Sequence, residues 1–329
     1  MEGKLNPPSL IRSITAGFDA ITNNLFLILF PITLDIFLWF GPRLHLQDLM
    51  TVFFKESAAI PELQTPEWTQ MVAASQQMWA IILERFNLFT LLRTYPVGIT
   101  SLMAGVSPVH TPLGDVGVWE IPSWSEMFLL MIGLILLGLV LGTFYFSIVS
   151  QAAIKKEVDW RAAFQSLPWS FNQVLQLSLM WLGLLIAISL PFMCLLSLLL
   201  VSGLSIGPLV LLLYAGFVIW IMIPLIFSPL GIFVYHRKVW GSVKDGVRIT
   251  RLTLPNTLVF LLLVFMLSRG LDLLWSIPTE ESWMALVGII GHGFVTTALL
   301  ASVFIYYRDA NTWVYQIVQK IQSASSRAS

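Results

Sequence analysis

Four ionisable side chains stand inside stretches that are otherwise apolar: Asp35, Arg269, Asp272 and His292. At membrane depth, carboxylates, a guanidinium and an imidazole are the groups that relay protons, coordinate ions or hold a polar solute or lipid headgroup. They can also serve a purely structural end, as an ion pair that sets how helices register. Arg or Asp at the centre of a membrane helix costs about 2.5–3.5 kcal/mol, whereas each Leu, Ile, Phe or Val returns roughly 0.3–0.6. The large aliphatic and Phe residues around Arg269 and Asp272 therefore only offset these two charges. Spacing i,i+3 puts the pair on one helical face, and Asp35 or Asp272 is expected to neutralise Arg269. With both acids and Arg269 ionised the charges sum to −1, so either His292 supplies a proton or one acid stays protonated. On this reading Arg269→Leu costs folding or expression.

The elements that carry these groups follow from composition. The 329 residues are 57% apolar and only 11% charged, with a mean hydropathy of +0.82, where an ordinary soluble domain is about a quarter charged. Several nearly uncharged runs reach the roughly 20 residues that a membrane-crossing helix needs. The fold class is all-α, a polytopic membrane protein. A transmembrane barrel would alternate apolar and polar residues. Zero net charge gives nucleic-acid binding no electrostatic support. The single cysteine, Cys194, excludes an internal disulfide and a multi-cysteine metal site, and no signal-peptide pattern opens the chain.

Six spans are expected, arranged as three hairpins. Residues 1–24 form a cytoplasmic amphipathic segment capped by Ser9, with Leu10, Ile14, Phe18 and Ile21 on one face. The first span covers residues 25–43, with Pro31 as a kink. Residues 44–124 form an extracytoplasmic helical insertion. There, Thr65-Pro66-Glu67 reads as a helix start, followed by a stripe of Trp68, Met71, Ser75, Met78, Ile82, Phe86 and Phe89. Residues 78–92 are interrupted by Glu84, Arg85 and Asn87 and read as a packed helix, not a span. Tyr95-Pro96-Val97-Gly98 and residues 106–117 read as turns. Residues 125–307 hold spans two to six, with cytoplasmic links at 152–172 and 236–256, and residues 308–329 form an amphipathic cytoplasmic tail. Each hairpin is introduced by a short amphipathic segment ending near an Asn, a weak internal repeat. Gly138-x-x-x-Gly142 offers a helix-packing face. Gly288, His292 and Thr296 make a stripe on the last span, where Gly291 and Gly293 admit a neighbour.

Orientation follows from thirteen Lys or Arg on the side of the termini and basic links against four (Arg43, Lys55, Arg85, Arg93) on the other. The asymmetry places both termini in the cytoplasm and residues 44–124 outside an inner membrane. A rise of about 1.5 Å per residue then sets Asp35, Arg269 and His292 in one layer, with Asp272 a turn further out. The first hairpin would thereby close onto the last.

The second basic link holds Arg237, Lys238, Lys244, Arg248 and Arg251 against one acid, Asp245. It reads either as a contact for anionic lipid headgroups or as a topology determinant. The expected partners are the lipid bilayer, an anionic lipid and an unidentified protein. The tail helix lies in the interface or docks that protein. His110, Asp115 and Glu120 sit close in sequence, but no nucleophile elbow, phosphate-binding loop or metal-spaced His pair accompanies them. No cofactor and no metal is implied.

Residues 229–235 (PLGIFVY), residues 240–248 (WGSVKDGVR), Asn256 before a span and residues 306–308 (YYR) carry a resemblance. With them the chain resembles uncharacterised six-span bacterial integral membrane proteins, and is similar to the membrane domain attached to some glycerophosphodiester phosphodiesterases. The resemblance covers the transmembrane frame and leaves out residues 44–124. The acidic and histidine cluster of the phosphodiesterase is missing, so it implies a fold and no activity. The leading expectation is a non-enzymatic scaffold or accessory of a transport or envelope process. The alternative is a transporter or lipid-handling protein using the layer of Asp35, Arg269, Asp272 and His292, and an intramembrane enzyme comes third. A dry, paired cluster favours the first; a water-accessible cavity reaching it favours the second.

Overall fold

A computed structural model describes residues 7–59, 66–202 and 207–328. The expected cap at Thr65, the turn around residues 203–206 and Lys4 lie outside these. Helices supply nearly all the regular structure among the described residues, and five of them are long and apolar enough to cross a membrane. A sixth span is complete if Leu25–Phe40 is joined to the helix before it, from which it bends by 93°. The chain is a multi-pass helical membrane protein.

Helix α1 (Leu10–Thr22) begins where the Ser9 hydroxyl accepts from the Arg12 amide. Ser13, Gly17 and Ile21 recur every fourth residue and form its buried edge, with Leu10, Ile14 and Phe18 packed beside them. This edge does not rest only on lipid. Gly17 lies so close to the last helix that a β-carbon there would stand 2.0 Å from Ser302 Oγ and 2.6 Å from the Ala298 carbonyl. The Ser302 hydroxyl donates to the Ile14 carbonyl at 3.2 Å. A 3₁₀ turn (Leu25–Ile28) then leads into α2 (Leu29–Phe40). Pro31 is the third residue of α2, where its missing N–H leaves no helical bond unmade.

The insertion is anchored at both ends by a short parallel pairing of β1 (Arg43–His45) with a strand at Val118–Glu120. Between these, α3 (Gln47–Ala58) and α4 (Pro66–Glu84) pack on a small core of Met50, Phe54, Val72 and Leu83. The buried stripe of α4 thus runs through Val72, Trp79 and Leu83, while Met71, Met78 and Ile82 are exposed. The stripe is rotated by about one residue from the expected one, and the helix ends at Glu84 short of a span. The Arg43 guanidinium donates to the carbonyls of Glu84 at 2.6 Å and Phe86 at 3.3 Å, which turns the chain at that end.

Residues 88–106 are not surface loop. A 3₁₀ helix (Leu88–Leu92), the turn at residues 93–98 and α5 (Met103–Val106) run into the bundle and return. A β-carbon on Gly138 would stand 2.5 Å from the Leu92 carbonyl, and one on Gly142 2.6 Å from the Gly98 Cα. Those glycines belong to α6 (Trp124–Lys155), 14 and 18 residues from its start, or about 21 and 27 Å along it. The segment therefore reaches the middle of the span. Gly138-x-x-x-Gly142 does admit a close neighbour, but that neighbour is this re-entrant segment instead of another helix. Irregular backbone at such depth is stable only where protein surrounds it. Leu88, Leu92, Val97, Ile99, Leu102 and Met103 are accordingly all buried.

The short strands β2 (His110–Thr111) and β3 (Gly114–Asp115) form an antiparallel hairpin, and β4 is the strand at Val118–Glu120. After α6 come α7 (Trp160–Val201), α8 (Gly207–Met222), α9 (Leu230–Tyr235), α10 (Val239–Leu252), α11 (Leu254–Trp275) and α12 (Ala285–Ala328). The three amphipathic entries differ in form. The first stands at an angle to its span, the second runs unbroken into α7, and the third, α10, breaks at Thr253 before α11. The tail likewise continues α12 without a break. Burial ranks the spans: 61% of the apolar window of α12 is buried, against 6% for α7 and 11% for both α11 and the span Gly207–Tyr235 that α8 and α9 share. Helix α12 is the central post, with α1, α2, α6 and the re-entrant segment around it. The hairpin of α7 and α8 stands at the edge, joined by Ser189 to Tyr214 at 2.8 Å.

Candidate functional site

The charged groups expected in one layer divide between two hydrogen-bonded sets in the structure. Asp35 is fully buried, and its carboxylate accepts from the Ser101 hydroxyl at 2.5 Å and the amides of Met103 at 2.9 Å and Leu102 at 3.1 Å. These donors are the first turn of α5, so the acid caps a short helix at the returning end of the re-entrant segment. The expected pairing of Asp35 with Arg269 is not formed. Hydrogen bonds from three donors already occupy its oxygens, and Arg269 lies against Asp272 instead.

The second cluster joins α11 to α12. His292 Nδ1 and Asp272 Oδ1 are 2.7 Å apart, and His292 is buried. Arg269 reaches the same carboxylate only at 3.9 Å, with its side chain 62% exposed. Asp272 is thus held chiefly by His292, and Arg269 extends along the outside of the bundle. The close approach of the helices rests on small residues. A β-carbon on Gly288 would stand 2.4 Å from the Trp275 carbonyl and one on Gly291 2.8 Å from its ring, while Gly293 faces Pro31 and Ile32. The first span does meet the last, through apolar atoms.

Hydroxyls tie the two clusters together. Thr100 and Thr296 are 2.8 Å apart, Thr296 also donates to the His292 carbonyl at 2.7 Å, and the Tyr145 hydroxyl donates to Thr297 at 2.8 Å. Ser101, Thr100, Tyr145 and Thr297 were not anticipated from sequence. Isolated Ser, Thr and Tyr carry no signal until the backbone that brings them together is known. On the re-entrant turn, Arg93 donates to the Ser101 carbonyl at 3.3 Å and lies 5.6 Å from the Tyr95 ring centre. It is half-buried inside the bundle, although the charge count treats it as an outer-loop residue.

Beside this network lies a groove of about 820 Å³, walled by Phe26, Leu29, Phe30, Thr33, Leu34 and Phe37 of the first span, Leu92 and Ile99 of the re-entrant segment, Leu141 and Trp160. Phe26 and Trp160, both in its wall, meet with ring centres 5.2 Å apart. A second, polar cavity of about 490 Å³ opens at the basic end, with Arg12, Asp19, Asn23, Asn24, Lys156, Arg308 and Asp309 in its walls. The basic link folds as α10. Arg237 pairs with Asp245 at 3.3 Å, while Lys238, Lys244, Arg248 and Arg251 are exposed, and Lys244, Arg248 and Arg251 line one shallow face with Val243 and Val247.

Outside the spans, burial and then the charge of Arg43 hold the His45 imidazole below its ordinary value. A 2.7 Å hydrogen bond to Asp115 raises that of exposed His110. Among the described residues no three His, Cys, Asp or Glu converge as a metal would need. No protein-family model matches the chain, and no curated protein or solved structure matches it.

Proposed function

We propose that this is a non-enzymatic lipid-handling protein of the cytoplasmic membrane, whose lateral groove holds an acyl chain. The groove carries the reading. At about 820 Å³ it lies within the roughly 300–1,000 Å³ of ligand sites, and its lining is apolar save for Thr33. The polar layer plays no part in binding here. Its carboxylates have partners, and it serves to hold the re-entrant wall of the groove. That revises the alternative in which Asp35, Arg269, Asp272 and His292 themselves form the transport site. The kinship proposed from residues 229–235 and 240–248, to six-span bacterial membrane proteins, is compatible with a lipid-related role and adds no activity.

The experiment is photo-crosslinking of the protein in bilayers with a phospholipid carrying a photoreactive group on its acyl chain. Labelling concentrated on Leu34, Ile99 and Leu141, and lost in Thr33→Trp, is expected. Even labelling of all outer helix faces, unchanged by Thr33→Trp, would overturn the reading.

On the same reading both termini and the basic links lie in the cytoplasm. With Arg43 buried, Arg93 half-buried and Arg85 paired with Glu280 at 3.2 Å, little uncompensated positive charge is left on the opposite side, which strengthens the asymmetry. Labelling of introduced cysteines at Ser57 and Gly241 from opposite faces of sealed vesicles checks it. The exposed row of Lys244, Arg248 and Arg251 suits anionic headgroups at the inner leaflet. A scaffold or accessory role in a transport or envelope process has one observation in its favour, the sparsely buried α7–α8 hairpin. A membrane partner crosslinked at the exposed Cys194 would support it.

A further inference from the structure

The groove and the polar cavity draw wall residues from the same two stretches of chain. Asn23 and Asn24 wall the polar cavity and Phe26 the groove; Lys156 walls the first and Trp160, four residues further on across the link between α6 and α7, the second. From Phe26 to Phe37 the groove extends about 17 Å along the first span. That is about half of a hydrocarbon core roughly 30 Å thick, the length of one leaflet's acyl chain. The basic-side end of that path opens where the charges are.

We infer that the occupant is a glycerophospholipid whose phosphate seats between Arg12, Lys156 and Arg308 at the mouth of the groove, an inference that rests on the acyl-chain reading above. Three cations face two carboxylates, Asp19 and Asp309, in that cavity, leaving one net positive charge to match the single negative charge of a phosphodiester. Arg308 is already held by Asp309 at 2.8 Å, so Arg12 and Lys156 supply the uncommitted charge; neither has a carboxylate within ion-pair distance among the described residues. Lys156 also holds a left-handed backbone, φ 65°, at the C-terminus of α6, a position that glycine or asparagine occupies at less cost. A lipid oriented this way has its headgroup at the basic end and its tail against the re-entrant segment.

The test compares lipids retained by the purified full-length protein, measured by native mass spectrometry. Wild type, the double variant Arg12→Gln/Lys156→Gln and Thr33→Trp are each offered phosphatidylglycerol, phosphatidylethanolamine, diacylglycerol or inorganic phosphate. Wild type is expected to hold either phospholipid at least about tenfold more tightly than diacylglycerol. The double variant should hold all three lipids alike, and Thr33→Trp should hold none. Both charged positions are exposed, so folding is not at stake. Equal retention of diacylglycerol and phospholipid by wild type overturns the headgroup assignment and leaves the groove standing. Retention by Thr33→Trp equal to wild type overturns the groove itself. Phosphate bound as well by Thr33→Trp as by wild type, with no lipid selectivity, makes this an anion site and overturns the lipid.

Discussion

A β-carbon on Gly142 would stand 2.6 Å from the Cα of Gly98 and 3.0 Å from the Val97 carbonyl. Backbone meets backbone there, and no rotamer change relieves an added side chain. Gly142→Leu should therefore destabilise the protein by about 3 kcal/mol, at the upper end of over-packing, and expel the re-entrant turn. Gly133→Leu on the same helix, where a β-carbon meets nothing within 4 Å, should be neutral or slightly stabilising. Unfolding in detergent compares the two, and equal loss in both would refute the close approach.

Asp35→Ala leaves the Ser101 hydroxyl and the Leu102 and Met103 amides without their acceptor. At about 1–3 kcal/mol per buried unsatisfied group, a loss of about 3 kcal/mol or more is expected. Asp35→Asn keeps one acceptor oxygen and should lose about half as much. A cysteine placed at Val97 should become reactive in Asp35→Ala, and continued protection there would argue against the capping role.

Arg269→Leu reverses the expectation drawn from sequence. With the guanidinium 62% exposed and 3.9 Å from Asp272, the variant should fold within about 0.5 kcal/mol of wild type. His292→Leu removes the 2.7 Å partner of Asp272 and should cost about 2 kcal/mol or more. Expression yield and thermal unfolding decide between them.

Two histidines outside the spans should respond to pH in opposite directions. His45 titrates below its ordinary 6.5 because it is buried near Arg43. As pH falls from 6.5 through that lower folded value the unfolded chain binds the proton more readily, so stability at β1 and β4 declines. His110 titrates above 6.5 because of Asp115. Its contribution is present below 6.5 and disappears as pH rises through the higher folded value. Hydrogen exchange should show residues 43–46 and 118–121 loosening in acid, and residues 110–115 loosening on the alkaline side. His45→Asn should abolish the first response only.

The helical membrane frame was legible because apolar runs of span length have few other meanings. The packing of α1 through Ile14, Phe18 and Ile21 also followed from periodicity. The charged layer was half legible. Helical rise set His292 level with Arg269 and Asp272 a turn further out, whereas Asp272 is the residue that bonds His292. Nor did helical rise give the partners of Asp35, which sit on irregular backbone more than 60 residues away. Tyr95-Pro96-Val97-Gly98 announced a turn, and Gly138-x-x-x-Gly142 announced a close neighbour. Nothing in local pattern says that the one is the neighbour of the other. The groove was not legible at all, because its walls come from four separate parts of the chain.

The central position of α12 has a consequence for biogenesis. Thr100 waits for Thr296, and Ile14 for Ser302, residues translated roughly 200–290 positions later. At about 5–20 residues per second of synthesis, the first span and its re-entrant companion spend about 10–60 s in the membrane without the post that completes their packing. Throughout that interval irregular backbone faces lipid or a chaperone of the insertion machinery. A ribosome stalled before Ala285 should therefore hold a nascent chain whose residues 88–106 are open to protease, and protection should arrive in one step with the final helix.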